Sequence, residues 1–300
     1  MDVYERVTDT IMAQLEAGTV PWRKPWKGTS GMPKNLVSKK HYRGINVWLL
    51  AFQGRPSAFW LTFKQAKKLG GFVKKGEKGS MVVFADYINK GTTTVITKDE
   101  ETGEEKTETR TRRVPFMKAY TVFNLSQCEG IADPDEGQKT ANVIEPLAEC
   151  ERLMDGWSDK PPVRFDGGDR AFYRPATDEI HMPVMGCFES PEGYYATLFH
   201  EAAHATGHKS RLDRRGVSGI SGFGSEVYSQ EELVAEMGAA FLCGLSGIEN
   251  KMIDNAAAYI KGWLEALKND RKLVIVAAAQ AQKAADYITA RKTDTEIADE

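Results

Sequence analysis

The stretch His200-Glu201-Ala202-Ala203-His204 restricts what this chain can fold into more than any other feature. Residues i and i+4 share one face of a helix, so two imidazoles at this spacing meet one metal ion only if the segment is helical. The flanking residues agree with a helix. Ser190-Pro191 reads as an N-cap and first-turn proline, Tyr194 to Ala205 contains no breaker, and Gly207 reads as the stop. Two of the chain's five histidines fall at this spacing around a glutamate, which a chance match would rarely produce. Glu201, between them, is placed to take a proton from a water whose pKa a metal ion lowers towards ~7.

A third ligand is needed. His208 stands at i+8 from His200, about 12 Å further along a straight helix, so it reads as a histidine just past the helix end. The better source is the acid-rich segment Glu231-Glu232-Leu233-Val234-Ala235-Glu236, where Glu232 and Glu236 share a helical face. This arrangement resembles zinc peptidases whose ligand glutamate lies on a second helix, with another acid one turn later hydrogen-bonded to a ligand histidine. By that pattern Glu232 is the ligand and Glu236 its neighbour outside the coordination sphere. Ser229 with Glu232 also spells a capping box, and if Glu232 closes that box, Glu236 becomes the ligand. Both assignments stand at this point. Tyr228 is a further candidate, as a group that stabilises a developing oxyanion. The expected cofactor is one divalent ion, zinc by the type of motif.

Charge separates the chain into two regions. Residues 1–130 carry a net +9 and residues 131–300 a net −11, which together give the overall −2. Between Val20 and Ser80 there are 14 basic residues against a single acid, Glu77. Aromatic side chains are interleaved with them, including four of the six tryptophans. Cations that track phosphates, beside aromatic faces that stack on bases, are the ingredients of a single-stranded nucleic-acid site. The residues best suited are Trp22, Arg23, Lys24, Trp26 and Lys27 in the PWRKPW loop, with Lys39, Lys40, Tyr42 and Arg43 beyond it. Trp48, Phe52 and Phe59 sit in apolar runs and read as core.

The longest apolar run, Leu273 to Ala279, is seven residues, far short of a bilayer span, so no membrane partner is expected. Cys128, Cys150, Cys187 and Cys243 form no CxxC pair, and the opening MDVYERVTDT lacks a signal's apolar stretch. A cytoplasmic protein with reduced thiols is the expectation. The fold class expected is α+β in two domains: residues 1–130, a linker over 131–141, and a mostly helical region over 142–300. A charged, Thr-rich excursion at about 98–113 reads as a hairpin tip. The opposite charges, screened over about 8–10 Å at physiological salt, favour two independent modules.

Long ordered stretches carry a wider resemblance. PWRKPW, NLVSKKHYRGINVWLL, WLTFKQAKKLGGFVKKGEKG and AYTVFNLSQCEG in the first half are similar to the ArdC-like antirestriction proteins of conjugative plasmids. So are LFHEAAHATGH, EELVAEMGAAFL and the terminal NAAAYIKGWLEALKNDRKLVIVAAAQAQKAADYI. The resemblance implies an N-terminal single-stranded-DNA-binding domain and a C-terminal zincin-like metallopeptidase domain. It also implies protection of incoming plasmid DNA from host restriction. Two rival readings accompany it: a peptidase that cleaves a host restriction or regulatory protein, with DNA binding for delivery, and a metal-stabilised scaffold without turnover.

Overall fold

The computed structural model describes residues 2–22, 32–98, 105–134, 146–165, 168–218, 226–248 and 256–291. The chain opens with α1 (Val3–Glu16), started by Asp2, whose carboxylate and Glu5 close a capping box. Next come β1 (Lys34–Asn35), α2 (Ile45–Ala51), β2 (Phe59–Leu61), α3 (Phe63–Lys68) and β3 (Phe72–Val73). Thr62 and Gln65 form a capping box at the start of α3. A long antiparallel hairpin follows, β4 (Ser80–Lys98) and β5 (Glu105–Asn124), then β6 (Cys128–Glu129). Residues 105–113 of the charged excursion are strand, paired with residues 89–98; 99–104 lie outside the described residues.

The main sheet has the order β1-β2-β5-β4, parallel between β1 and β2 and antiparallel elsewhere. Its edge at β4 is closed by a side chain. Asn46 of α2 accepts from the Val83 amide and donates to the Val83 carbonyl, both at 2.7 Å, as a neighbouring strand would.

The second half holds α4 (Pro146–Asp155), β7 (Val163–Arg164), β8 (Phe172–Arg174), β9 (Glu179–His181), α5 (Pro191–Ala205), α6 (Arg215–Ser218), α7 (Glu226–Ser246), α8 (Ala256–Asn269) and α9 (Leu273–Ile288). β7 and β8 flank β9 in a small sheet. Strand β8 falls where GGDRAFYRPAT suggests only a loop; Phe172 stacks on His181 of β9 with ring centroids 4.5 Å apart, which gives the strand its apolar contact. No helix among the described residues is long and apolar enough to cross a membrane.

The fold class is α+β, as expected, but the two halves are not separate bodies. A single apolar core takes in Val7, Ile11 and Leu15 of α1 and Val47 and Trp48 of α2. Phe199 of α5, Phe241 of α7, Trp263 of α8 and Val274 of α9 belong to the same core. Trp48 packs on Phe241 with ring centroids 4.8 Å apart. Around this core Arg43 pairs with Asp286, Arg271 with Asp9, and the Gly44 amide donates to Gln282. The expectation of independent modules is therefore corrected. Charge says little about domain contact when the contact is made by apolar side chains.

Candidate metal centre and nucleic-acid surface

α5 forms where the sequence places it. Ser190 accepts from the Gly193 amide, Pro191 occupies the first turn, and the helix ends at Ala205. α7 starts at Glu226, three residues before Ser229, so Ser229 is inside the helix and cannot cap it. That frees Glu232 from a capping role. The two helices approach closely because Gly238 of α7 has no side chain; a Cβ there would stand 2.9 Å from the Cβ of Ala203.

This approach brings His200, His204 and Glu232 together. The two Nε2 atoms are 3.1 Å apart, and the Glu232 oxygens lie 3.6 Å from His200 Nε2 and 3.5 Å from His204 Nε2. Among the described residues this is the one cluster of three with ligand atoms mutually within 4.8 Å. Two nitrogens each about 2.0–2.1 Å from a tetrahedral ion would be roughly 3.3 Å apart, so the pair is spaced to share one. Glu201 is buried in the helical position between them.

The electrostatics of the cluster favour positive charge. Burial pulls His204 down, yet its contacts with Glu231 and Glu232 outweigh this and raise its pKa to about 10. His200 is raised too: burial works against it, and Glu232, Glu201 and Glu236 overcome that. Burial pushes Glu232 up, but the two histidines hold its carboxyl far below the usual carboxylate range. A divalent ion in place of the imidazole protons meets the same demand.

Some expectations about the surrounding acids change. Glu236 is buried and acts on His200 by charge, but it is not one of the three clustered groups. Glu231 accepts a hydrogen bond from a ligand-type histidine, its Oε1 lying 3.3 Å from His204 Nδ1. Sequence reasoning passed over Glu231. The signal was present in the adjacent pair Glu231-Glu232, since a histidine has two nitrogens to satisfy. His208 lies past the helix end, with Nδ1 2.8 Å from Ser210 Oγ, and takes no part. Tyr228 falls in the first turn of α7, and its side chain is outside the described residues.

The basic half needs a larger correction. Trp22 is 0% exposed and packs edge-on against Trp263 at 5.1 Å, so it cannot stack on a base. Tyr42 is 7% exposed in a cluster with Leu50, Trp60, Val82 and Val122. Arg43 is committed to Asp286. Each was suited to nucleic acid by type, but each finds a partner inside the fold. Arg23, Lys24, Trp26 and Lys27 lie outside the described residues.

Lys39 and Lys40 are exposed as expected. Phe63 and Phe72 of the basic segment reach solvent as well, and two further aromatic faces do so on the hairpin beyond it. Phe84 and Tyr120 are 46% and 40% exposed on β4 and β5, their rings 5.7 Å apart, with Lys118 Nζ 5.3 Å over Tyr120.

Comparison with known proteins finds two matched regions in the chain. A family model for the N-terminal domain of anti-restriction factor ArdC matches residues 1–123, and one for a zincin-like metallopeptidase matches residues 157–280. The metal-free crystal structure of the antirestriction ArdC protein from plasmid R388 is 43% identical. It covers 96% of this chain and 97% of its own, with a TM-score of 0.71. The Mn(II)-bound form of that protein is 40% identical with a TM-score of 0.72, over 97% and 98%. Protein y4eC of Sinorhizobium fredii is 37% identical over 98% of this chain and 94% of its own length. DNA primase TraC of Escherichia coli is also 37% identical over 96% of this chain, which spans only 27% of TraC.

Proposed function

Since this chain belongs to the ArdC-like family of antirestriction proteins, we propose that it shields incoming plasmid DNA from host restriction during conjugation. In this reading the first half binds single-stranded DNA. The second half holds one divalent ion, zinc by the nature of its donors, at His200, His204 and Glu232. The observation that carries the metal assignment is the pair of imidazole nitrogens facing each other at 3.1 Å with a carboxylate across from them. Two imidazoles and a carboxylate form the donor set of open zinc sites.

When bound, such an ion supplies a Lewis acid that polarises a carbonyl. The chain's own residues do the rest. His200, His204 and Glu232 fix the place where chemistry occurs, and helices α5 and α7 hold them rigid. The Glu201 carboxylate accepts a proton from an attacking water and returns it to the leaving amine. Glu201 also supports a second reading, a metallopeptidase that cleaves a host restriction or regulatory protein. A site that only holds a metal has no use for a general base between its histidines.

For the nucleic-acid half, support comes from the net +13 over residues 20–80, the exposed Lys39 and Lys40, and the Phe84–Tyr120–Lys118 face. Affinity for single strands should fall steeply with salt, because each neutralised phosphate releases condensed counterion.

The test is conjugal transfer of a plasmid lacking this gene into restricting and non-restricting recipients. Wild type supplied in trans should raise transfer into the restricting recipient alone. Glu201→Ala separates the readings: it leaves protection intact if DNA shielding suffices, and abolishes it if proteolysis is required. Equal transfer with and without the protein would refute the antirestriction role.

A further inference from the structure

Arg214, on the turn after α5, is buried with its charge and joins the two helices of the metal cluster. Its Nε donates to Glu231 Oε2 at 3.0 Å and its Nη2 to Glu231 Oε1 at 2.6 Å, a two-pronged grip on one carboxylate. The same guanidinium donates to the Ala203 carbonyl at 2.6 Å and to Thr206 Oγ1 at 2.7 Å. Ala203 O is one of the last carbonyls of α5, where a cation is favoured by the helix dipole. Two glycines make room. A Cβ on Gly207 would come within 2.9 Å of Arg214 Nη2, and one on Gly216 within 2.7 Å of Glu231 Cβ.

Glu231 and Glu232 are neighbours that both face histidine nitrogens. A free Glu231 could turn about its own side-chain bonds and compete with Glu232 for an ion. The two bonds from Arg214 remove that freedom and keep the carboxylate at His204 Nδ1. A carboxylate only accepts, so His204 is held with its Nδ1–H on Glu231, and Nε2 is the nitrogen left facing His200 and Glu232.

We infer that Arg214 is a positioning residue for the metal centre, acting through Glu231 to hold His204 with Nε2 turned toward His200 and Glu232. Lysine cannot replace it, because an ammonium has no planar fork to grip both oxygens. The inference rests on the metal reading above.

Its test is Mn(II) titration of the full-length chain, with free Mn(II) followed by electron paramagnetic resonance. The proteins are wild type, Arg214→Lys, Glu231→Gln, the double variant and Glu232→Gln. Arg214→Lys and Glu231→Gln should each weaken binding by about 10–100-fold. The double variant should be no weaker than the weaker single, since both act on one contact. Losses that multiply would mean that the two residues act separately. Circular dichroism of the metal-free proteins checks folding. Glu231→Gln preserves side-chain volume, so it decides the matter if Arg214→Lys fails to fold. Wild type that binds neither Mn(II) nor, by calorimetry, Zn(II) overturns the metal reading itself. Wild-type binding lost in Glu232→Gln but kept within twofold in both single variants overturns the positioning role alone, as does a multiplicative double variant.

Discussion

Replacing Trp22 with alanine distinguishes a nucleic-acid role from a structural one more sharply than any other single change. By sequence Trp22 belongs to a basic, proline-punctuated loop and should lose base stacking, worth about 1–3 kcal/mol per base, when truncated. By structure its ring is fully buried against Trp263, in a core that also contains α1 and α2. Truncating a buried tryptophan costs about 3–5 kcal/mol, because the lost apolar contacts leave a cavity that neighbours only partly fill. At about 2–4 °C per kcal/mol for a chain of this size class, the melting midpoint should fall by roughly 6–20 °C. The assay pairs thermal unfolding by circular dichroism with fluorescence anisotropy of a labelled single strand at 15 °C, where the variant remains folded. Stability should drop while DNA affinity stays within about twofold. Trp26→Ala, measured alongside, should show the reverse if the loop stacks on bases. A Trp22→Ala protein that melts within 2 °C of wild type but binds DNA tenfold more weakly would falsify the burial argument.

Three further outcomes follow from the same contacts. A fragment of residues 1–130 should aggregate or bind hydrophobic dyes, because it bares Val7, Ile11, Trp22 and Trp48 that the second half covers; a monomeric, cooperatively folded fragment would contradict the shared core. Asn46→Ala leaves the Val83 amide and carbonyl buried without their 2.7 Å partners and should cost about 2–4 kcal/mol, read as lower stability and faster hydrogen exchange at Val83. The double change Phe84→Ala with Tyr120→Ala should weaken single-strand binding by about tenfold or more with little loss of stability; unchanged affinity would exclude this face as a stacking surface.

What could be read from the sequence was set by short-range physics. The Ser190-Pro191 start and the i, i+4 histidines depend on neighbours within one or two turns, and each stands where expected. The place of Glu232 beside the two histidines follows from the same spacing, once its helix is granted. The aromatics were not. A tryptophan suits a base stack and an apolar core equally well by type, and the partner that decides for Trp22 is Trp263, far along the chain. Tyr42 is likewise settled by Val82 and Val122 of the hairpin, and Arg43 by Asp286 of the last helix.

Glu231 shows where local reasoning stops. Adjacent residues on a helix point about 100° apart, so a search for ligands on one face keeps Glu232 and Glu236 and discards the residue between the faces. That step treats the partner as a single point. His204 offers two nitrogens on opposite sides of its ring, and α7 lies close enough to meet both: Glu232 at Nε2 and Glu231 at Nδ1. The closeness depends on Gly238, and the room for Arg214 behind Glu231 depends on Gly207 and Gly216. Glycines near a metal motif thus carry information that propensity scales assign only to turns. At these three positions a methyl group would collide with Ala203, Arg214 or Glu231.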